Sequence, residues 1–281
     1  MRPNGIPLPW QLKIAAKIVL SRLPLGYGTW SRLRLFRHGA MDDPSYALET
    51  FREHFNRSGV ARGFTMLDLG PGDSLASAVV ARAMGATSSY LVDVGPFARQ
   101  NPGGYRALAS LLRRESLEVP DFSTIEDVFS YAKVKYLTEG LSSLRSMPSS
   151  CVDFCFSHAV LEHLPKNDFL PILCEVRRIQ RPGGVSSHTI DLKDHLSGSL
   201  NNLRFTEERW EGPLFSRSGF YTNRIRFPQM MELFQRAGFA VEVLGAQRWG
   251  SLPIERRYLD SSFQALSDDE LAVKGFDVLL R

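Results

Sequence analysis

The chain has 281 residues, 43% of them hydrophobic and 23% charged, with a net charge of +4. That composition excludes a disordered or low-complexity protein and leaves room for a sizeable core. The excess of positive charge is small, and no basic patch interleaves with aromatics along one element, so a nucleic-acid partner is not expected.

The start, from Met1 to Trp10, carries three prolines and no apolar core of a secretory leader. No run of 18 apolar residues follows, so no transmembrane helix is expected. From Trp10 to Leu23 the pattern is helical. Lys13, Lys17 and Ser21 line a polar side, and Leu12, Ala16, Val19, Leu20 and Leu23 share the opposite one. Arg32, Arg34 and Arg37 form a second basic stretch, and Pro44 to Phe55 reads as another helix, closed near Gly59. Residues 1–62 are therefore expected to be either an N-terminal helical cap over the active-site edge or a segment lying on a membrane surface, with residues 10–37 as the contact. The cap is the favoured reading.

From residue 63 to 281 strand-like and helix-like segments alternate. Strands are expected at Met66–Leu69, Tyr90–Val94, within Tyr131–Leu137, and at Val152–Phe156, Val185–Leu192, Val241–Gly245 and Phe276–Leu280. Helices are expected at Ser74–Met84, Tyr105–Arg114, Phe169–Ile179 and Pro228–Ala237, with a break at Arg181-Pro182-Gly183-Gly184. The alternation predicts an α/β domain with a seven-stranded, mostly parallel sheet and helices on both faces. An insertion at about residues 196–227 interrupts it. There Arg204, Phe205, Trp210, Phe215, Arg217, Phe220, Tyr221, Asn223, Arg224 and Arg226 crowd together. They form either a wall for a sugar ring and its anionic groups or an insertion packed on the sheet edge.

The most informative stretch is Met66-Leu67-Asp68-Leu69-Gly70-Pro71-Gly72-Asp73-Ser74. A buried strand enters a glycine turn and a helix follows, whose N–H groups point back at the turn and which Asp73 or Ser74 could cap. Asp93 closes the next strand, where a carboxylate accepts hydrogen bonds from the two hydroxyls of a ribose. A dinucleotide fingerprint needs a third glycine where Leu75 stands, and Asp73 puts negative charge where a pyrophosphate would sit. A cationic, phosphate-free adenosyl ligand suits these carboxylates better.

Cys151, Cys155 and Cys174 are too few for a disulfide framework and point to a reducing, cytoplasmic compartment. Cys151, Cys155, His158 and His163 lie close in sequence, but their spacing matches no metal-ligand pattern, and no metal is expected.

These motifs resemble the class I S-adenosylmethionine-dependent methyltransferases. Leu67-Asp68-Leu69-Gly70-Pro71-Gly72 resembles the family's first motif, Asp93 its ribose-binding acid, and Val152–His163 its fourth strand with the Leu-Glu-His that follows. Arg181-Pro182-Gly183-Gly184 resembles the turn into the fifth strand, and the resemblance covers about residues 63–281. It departs at Ser74, where the family commonly has a third glycine. The resemblance implies a Rossmann-like fold and S-adenosyl-L-methionine as cofactor. Gly70, Pro71 and Gly72 would lie against its methionine part, with Asp68 helping to position it. Asp93 would hold the ribose, with Val94 beside it in the cofactor site, Leu141 would border the adenine, and Ser157 and His158 would border the transferred methyl.

Methyl transfer to a hydroxyl needs a general base. Strand five ends in Thr189-Ile190-Asp191-Leu192-Lys193-Asp194-His195, which puts His195 at the mouth with Asp191 or Asp194 to orient it. His158 is the rival base. The combination of Leu-Gly-Pro-Gly-Asp-Ser with Ile-Asp-Leu-Lys-Asp-His-Leu resembles methyltransferases of bacterial surface-polysaccharide biosynthesis. That resemblance implies O-methylation of a sugar hydroxyl on a glycan or its lipid-linked precursor, at the inner face of the cytoplasmic membrane. O- or N-methylation of a small secondary metabolite and a non-catalytic cofactor-binding module are the alternatives.

Overall fold

A computed structural model describes residues 9–20 and 40–281. The basic stretch Arg32, Arg34 and Arg37 lies outside them. In chain order the helices α1 (Trp10–Leu20) and α2 (Pro44–Ser58) come first. They are followed by β1 (Thr65–Leu69), α3 (Ala76–Ala83), β2 (Ser88–Val92), α4 (Pro102–Arg114), α5 (Ile125–Ala132) and β3 (Val134–Leu137). Next come α6 (Leu141–Ser146), β4 (Val152–His158), α7 (Lys166–Ile179) and β5 (Gln180–Asp191). After the short helices α8 (Glu207–Glu211) and α9 (Pro213–Ser216), the chain closes with α10 (Phe227–Arg236), β6 (Val241–Arg248), α11 (Asp268–Leu271) and β7 (Val273–Leu280).

The strands form a seven-stranded sheet in the order β3-β2-β1-β4-β5-β7-β6. Strands β1 to β5 pair in parallel, while β7 runs antiparallel between β5 and β6. This is the expected Rossmann-like sheet with helices around it. Because β1 pairs with β2 on one side and β4 on the other, the strand order reverses there. Ligands of open α/β sheets bind outside the carboxyl ends of the strands at such a switch point.

The two faces have separate cores. On one, Phe51 of α2 meets Phe154 and Phe156 of β4 at 6.1 and 5.7 Å between ring centroids. On the other, Leu67, Cys155 and Ile190 pack with Phe169, Leu173 and Phe234 from α7 and α10. Helix α2 starts where Asp43 accepts the N–H groups of Ser45 and Tyr46, and it ends at Gly59 with φ +68°. With Ala47, Leu48 and Phe51 fully buried in the same core as β4, α2 belongs to the body of the domain. Helix α1 sits elsewhere: Trp10, Ile14 and Ile18 pack on Leu196, Trp210, Phe215, Phe220 and Tyr221 of the insertion. Trp10, Ile14 and Ile18 are thus turned to protein, while Leu12 is 54% exposed. Among the described residues no helix is long and apolar enough to cross a membrane.

The insertion corrects the idea of an aromatic sugar wall. Trp210, Phe215 and Phe220 are buried and pack on one another, and the Trp210 indole N–H donates to the Thr222 carbonyl at 2.7 Å. Two of the arginines, Arg224 and Arg226, also turn inward, while Arg217 is exposed. Arg224 donates to the Phe205 carbonyl and to Glu207, each at 2.6 Å. Arg226, only 1% exposed, donates to the carbonyls of Leu192, Leu271 and Val273 at 2.7, 3.0 and 2.6 Å. Such a cluster buries its area internally, which a surface reading of composition does not reveal. Arg226→Met leaves these carbonyls buried without a donor, at about 1–3 kcal/mol for each orphaned group. The expected result is a stability loss of about 3 kcal/mol or more, read as a lower urea midpoint at unchanged slope.

The expected break at Arg181–Gly184 is a bulge within β5. Pairing passes from Val152↔Gln180 to Phe154↔Val185, so residues 181–184 stand opposite Asp153 alone. Gln180 closes the bulge by donating to the Gly184 carbonyl at 2.6 Å and accepting from the Ser186 hydroxyl at 2.7 Å. A Cβ on Gly184 would stand 3.0 Å from the Arg181 carbonyl oxygen.

Candidate active site

Strand β1 ends at the glycine turn. Gly70 and Gly72 have φ of +78° and +67°, in the left-handed region that favours glycine. A Cβ on Gly70 would come within 2.6 Å of the Val160 side chain, so the bare turn lets the segment after β4 close over it. That segment turns sharply at Ala159, whose φ is +54°. Asp93, just beyond β2, faces the turn. One of its carboxylate oxygens accepts from the Gly72 N–H at 3.1 Å and the other from the Val94 N–H at 2.7 Å. The Gly140 N–H donates to the Asp93 carbonyl at 2.8 Å, which brings Leu141, the first residue of α6, beside Val94. Gly70, Gly72, Asp93, Val94 and Leu141 therefore converge at the carboxyl edge of β1, β2 and β3.

The donors and acceptors here decide which ligand fits. A pyrophosphate needs free N–H groups at the start of α3. The Leu75 N–H instead donates to the Tyr105 phenol at 3.1 Å, and the Ala76 N–H to the Ser74 hydroxyl at 3.2 Å. Leu75 is the N-cap residue of α3, which replaces the expected cap by Asp73 or Ser74. Asp73 is fully buried and lies 3.3 Å from Arg99, which also pairs with Asp42 at 3.0 Å. The half-buried Asp93 carboxylate keeps lone pairs beyond those that its two N–H partners use. An uncharged diol with an apolar base beside Val94 and Leu141 fits this chemistry. A pyrophosphate does not.

Two expected ligand contacts are committed elsewhere. The Asp68 carboxyl is buried and accepts from the Ser77 hydroxyl at 2.5 Å, so its side chain ties β1 to α3. Burial pushes it up to about 7, and the Asp93 charge adds to the rise. Ser157 is fully buried and bonds to Nδ1 of His188 at 2.7 Å on the α7 side of the sheet. Neighbouring strand residues face opposite ways, so Ser157 cannot share the mouth with His158.

His158, the last residue of β4, lies level with the glycine turn, because Phe156 pairs with Asp68 two residues earlier on each strand. Its Nδ1 is 3.2 Å from Nε2 of His54 on α2, and its ring meets Tyr46 edge-on at 6.1 Å. His54 is fully buried, and its Nδ1 is 2.8 Å from the Ser187 hydroxyl on β5. His54 was not among the candidate residues of the sequence. Its place on the buried side of α2, with Ala47 and Phe51, is the signal that could have found it.

The second candidate group lies past β5. Asp191 accepts the Lys193 N–H at 2.9 Å and pairs with the Lys193 ammonium at 3.2 Å. Asp194, 3% exposed, accepts the N–H groups of Leu196, Ser197 and Asn201 and the Asn201 side-chain amide. Its oxygens organise the loop that follows, and the His195 ring instead packs on His163 at 4.7 Å. His163 contacts the Tyr221 carbonyl through Nδ1 at 3.0 Å, linking this corner to the insertion. Glu162 is 1% exposed and one of its oxygens accepts the Asp191 N–H at 3.3 Å. Burial, with the Asp191 charge adding, pushes its carboxyl up to about 8. Among the described residues no cluster of three or more His, Cys, Asp or Glu is placed to hold a metal ion.

Glu162 makes stability depend on pH with a definite sign. Its folded pKa lies above the unfolded one, so its contribution is fully present below about 4.5 and is lost as pH rises through about 8. Glu162→Gln cannot ionise. The expected result is a variant whose melting temperature falls less than the wild type's between pH 6 and pH 9. Parallel curves for the two proteins would show that Glu162 is already ionised in the fold at pH 6, as it is in the unfolded chain.

Residues 67–187 match the methyltransferase domain family. No curated protein matches the chain in sequence. Among solved structures, a SAM-dependent methyltransferase from Methanosarcina mazei is 16% identical with a TM-score of 0.47, over 79% of this chain and 93% of that one. The Burkholderia thailandensis 1,6-didemethyltoxoflavin-N1-methyltransferase, solved with S-adenosylhomocysteine, is 14% identical with a TM-score of 0.45, over 100% and 92%. The CurJ carbon methyltransferase is 12% identical with a TM-score of 0.42, and the match spans 85% of this chain but only 53% of that one. The glycine turn, the end of β1 and strands β2 and β4 of the Rossmann-like sheet lie within the matched residues 67–187.

Proposed function

We propose that the protein is an S-adenosylmethionine-dependent methyltransferase acting on a hydroxyl, and that the hydroxyl belongs to a sugar of a bacterial surface glycan or its lipid-linked precursor. The observation that carries the enzymatic reading is Asp93, anchored by the Gly72 and Val94 N–H groups beside an open glycine turn. Gly70, Pro71 and Gly72 would flank the methionine part of the cofactor, Asp93 the ribose, and Val94 with Leu141 the adenine. When bound, the cofactor supplies an electrophilic methyl group on a sulfonium.

The chain's own task is alignment and proton handling. His158 stands at the height of the glycine turn, and burial holds its imidazole below the ordinary value, so it is neutral at pH 7 and able to accept a proton. An acceptor hydroxyl that gained the methyl would give its proton to His158, and the electron pair of the broken sulfur–carbon bond would stay on sulfur. His195, whose ring packs tilted on His163 at 4.7 Å, is the alternative base. The sugar assignment is supported by the likeness of Leu69–Ser74 and Ile190–Leu196 to glycan methyltransferases and by the polar ends of β4 and β5. Incubation with labelled S-adenosylmethionine and candidate glycans tests it. Label in a carbohydrate supports the reading, and label only in a non-carbohydrate acceptor discards it.

A further inference from the structure

His54 and Ser187 lie behind His158 in a line that enters the core. Ser187 and His54 are both fully buried. The His54 ring touches Ser187 with one nitrogen and His158 with the other, at 2.8 and 3.2 Å. Three neutral groups in a row leave little freedom in where their protons sit, and the last of them is the candidate base.

The two contacts form a chain in which each link needs one donor and one acceptor. A base keeps a lone pair on the nitrogen that faces the acceptor, so His158 has to donate from Nδ1, and Nδ1 of His54 then carries the hydrogen and donates it to the Ser187 hydroxyl. The ring does not hold a second one. Burial keeps it neutral, and positive charge on His158, His188 or Arg57 would oppose a cation there. Nε2 of His54 is therefore a lone pair. Its contact with Nδ1 of His158 is a hydrogen bond only if His158 donates. A neutral His158 that donates from Nδ1 keeps its own lone pair on Nε2, away from α2.

We propose that His54 is a positioning residue: by accepting from Nδ1–H of His158 and anchoring on Ser187, it fixes the tautomer in which Nε2 of His158 is free to take the acceptor's proton. The proposal rests on His158 being the base of the reaction described above. A histidine ring in water favours the opposite tautomer, so an uncontrolled His158 would present an N–H to the acceptor. Once His158 takes the proton, its Nδ1–H still donates to His54, and the cation is held without a carboxylate in contact. The charged groups around the pair are Glu53 and Arg57 on α2 and Asp277 on β7, with His188 on β5 neutral.

The test uses full-length protein labelled with 15N-histidine and long-range proton–nitrogen correlation spectra, with peaks assigned from His54 and His158 variants. The account expects both residues in the Nδ1–H form in the wild type. His54→Leu should release His158 to the Nε2–H form, and His54→Gln, whose side-chain oxygen accepts, should restore Nδ1–H. A wild-type His158 in the Nε2–H form, or one whose tautomer ignores His54→Leu, overturns the proposal. Titration with S-adenosylhomocysteine is read separately. Loss of that binding would refute the methyltransferase reading, whereas the tautomer is measured on the protein without ligand and stands or falls alone.

Discussion

Asp93→Ala is expected to weaken S-adenosylhomocysteine binding by about a hundredfold or more. A hydrogen bond to a charged group contributes about 1.5–3 kcal/mol, and a carboxylate at this position holds two ribose hydroxyls. The loss of even one such bond and part of a second reaches about 2.7 kcal/mol, which is a hundredfold in Kd. The substitution also removes the acceptor for the Gly72 and Val94 N–H groups, so the turn loses the clamp that sets its shape. Asp93→Asn keeps the size and one acceptor oxygen but loses the charge and sets its NH2 against one of the two N–H groups, and it should bind at least about tenfold more weakly than wild type. Calorimetry reads both. Equal affinity for wild type and Asp93→Ala would remove Asp93 from the site.

His158→Ala is expected to slow methyl transfer by about 10²–10⁴-fold, the usual contribution of a general base. S-adenosylhomocysteine affinity should change little, because the ring stands at the end of β4 and not at the ribose. The pH profile gives an independent reading. Burial lowers the His158 pKa below 6.5, the nearby Arg57 charge lowers it further, and Glu53 and Asp277 partly oppose the shift. The base must be neutral to accept a proton, so kcat/KM should be flat above neutrality and fall as pH drops below 6.5. An acid limb centred above pH 7, or a variant as active as wild type, would move the role to His195.

The parts of this molecule that a local stretch of chain determines were legible. Leu67–Gly72 and Asp93 stand in one strand–turn–helix–strand unit, so their meeting follows from neighbouring residues. The periodic runs at Phe169–Ile179 and Pro228–Ala237 lie within the observed α7 and extend the observed α10 by one residue. Helix α5 was missed although Thr124 and Asp127 form a capping box that announces its start. Strands β6 and β7 run longer than their apolar cores, because ladder hydrogen bonds continue through Gly245, Ala246 and Gln247 regardless of side-chain polarity. The burial of the insertion's aromatics was weighed but not decidable, since composition does not say which way a ring faces. The His54 contacts were out of reach for another reason. They join residues 104 and 133 positions apart, so only the topology brings α2 onto β4 and β5. Ser157 was within reach: strand alternation forbids it from facing the same way as His158.

The site as a whole is read as a grip on an adenosyl group without phosphates, and one paired titration tests that most directly. S-adenosylhomocysteine and NAD are added separately to the wild-type protein and the melting temperature is followed. Binding to the native state raises stability with ligand concentration, by about 2.7 kcal/mol at a hundred times Kd. The account predicts a saturable rise with S-adenosylhomocysteine and none with NAD. A rise with NAD alone would contradict it.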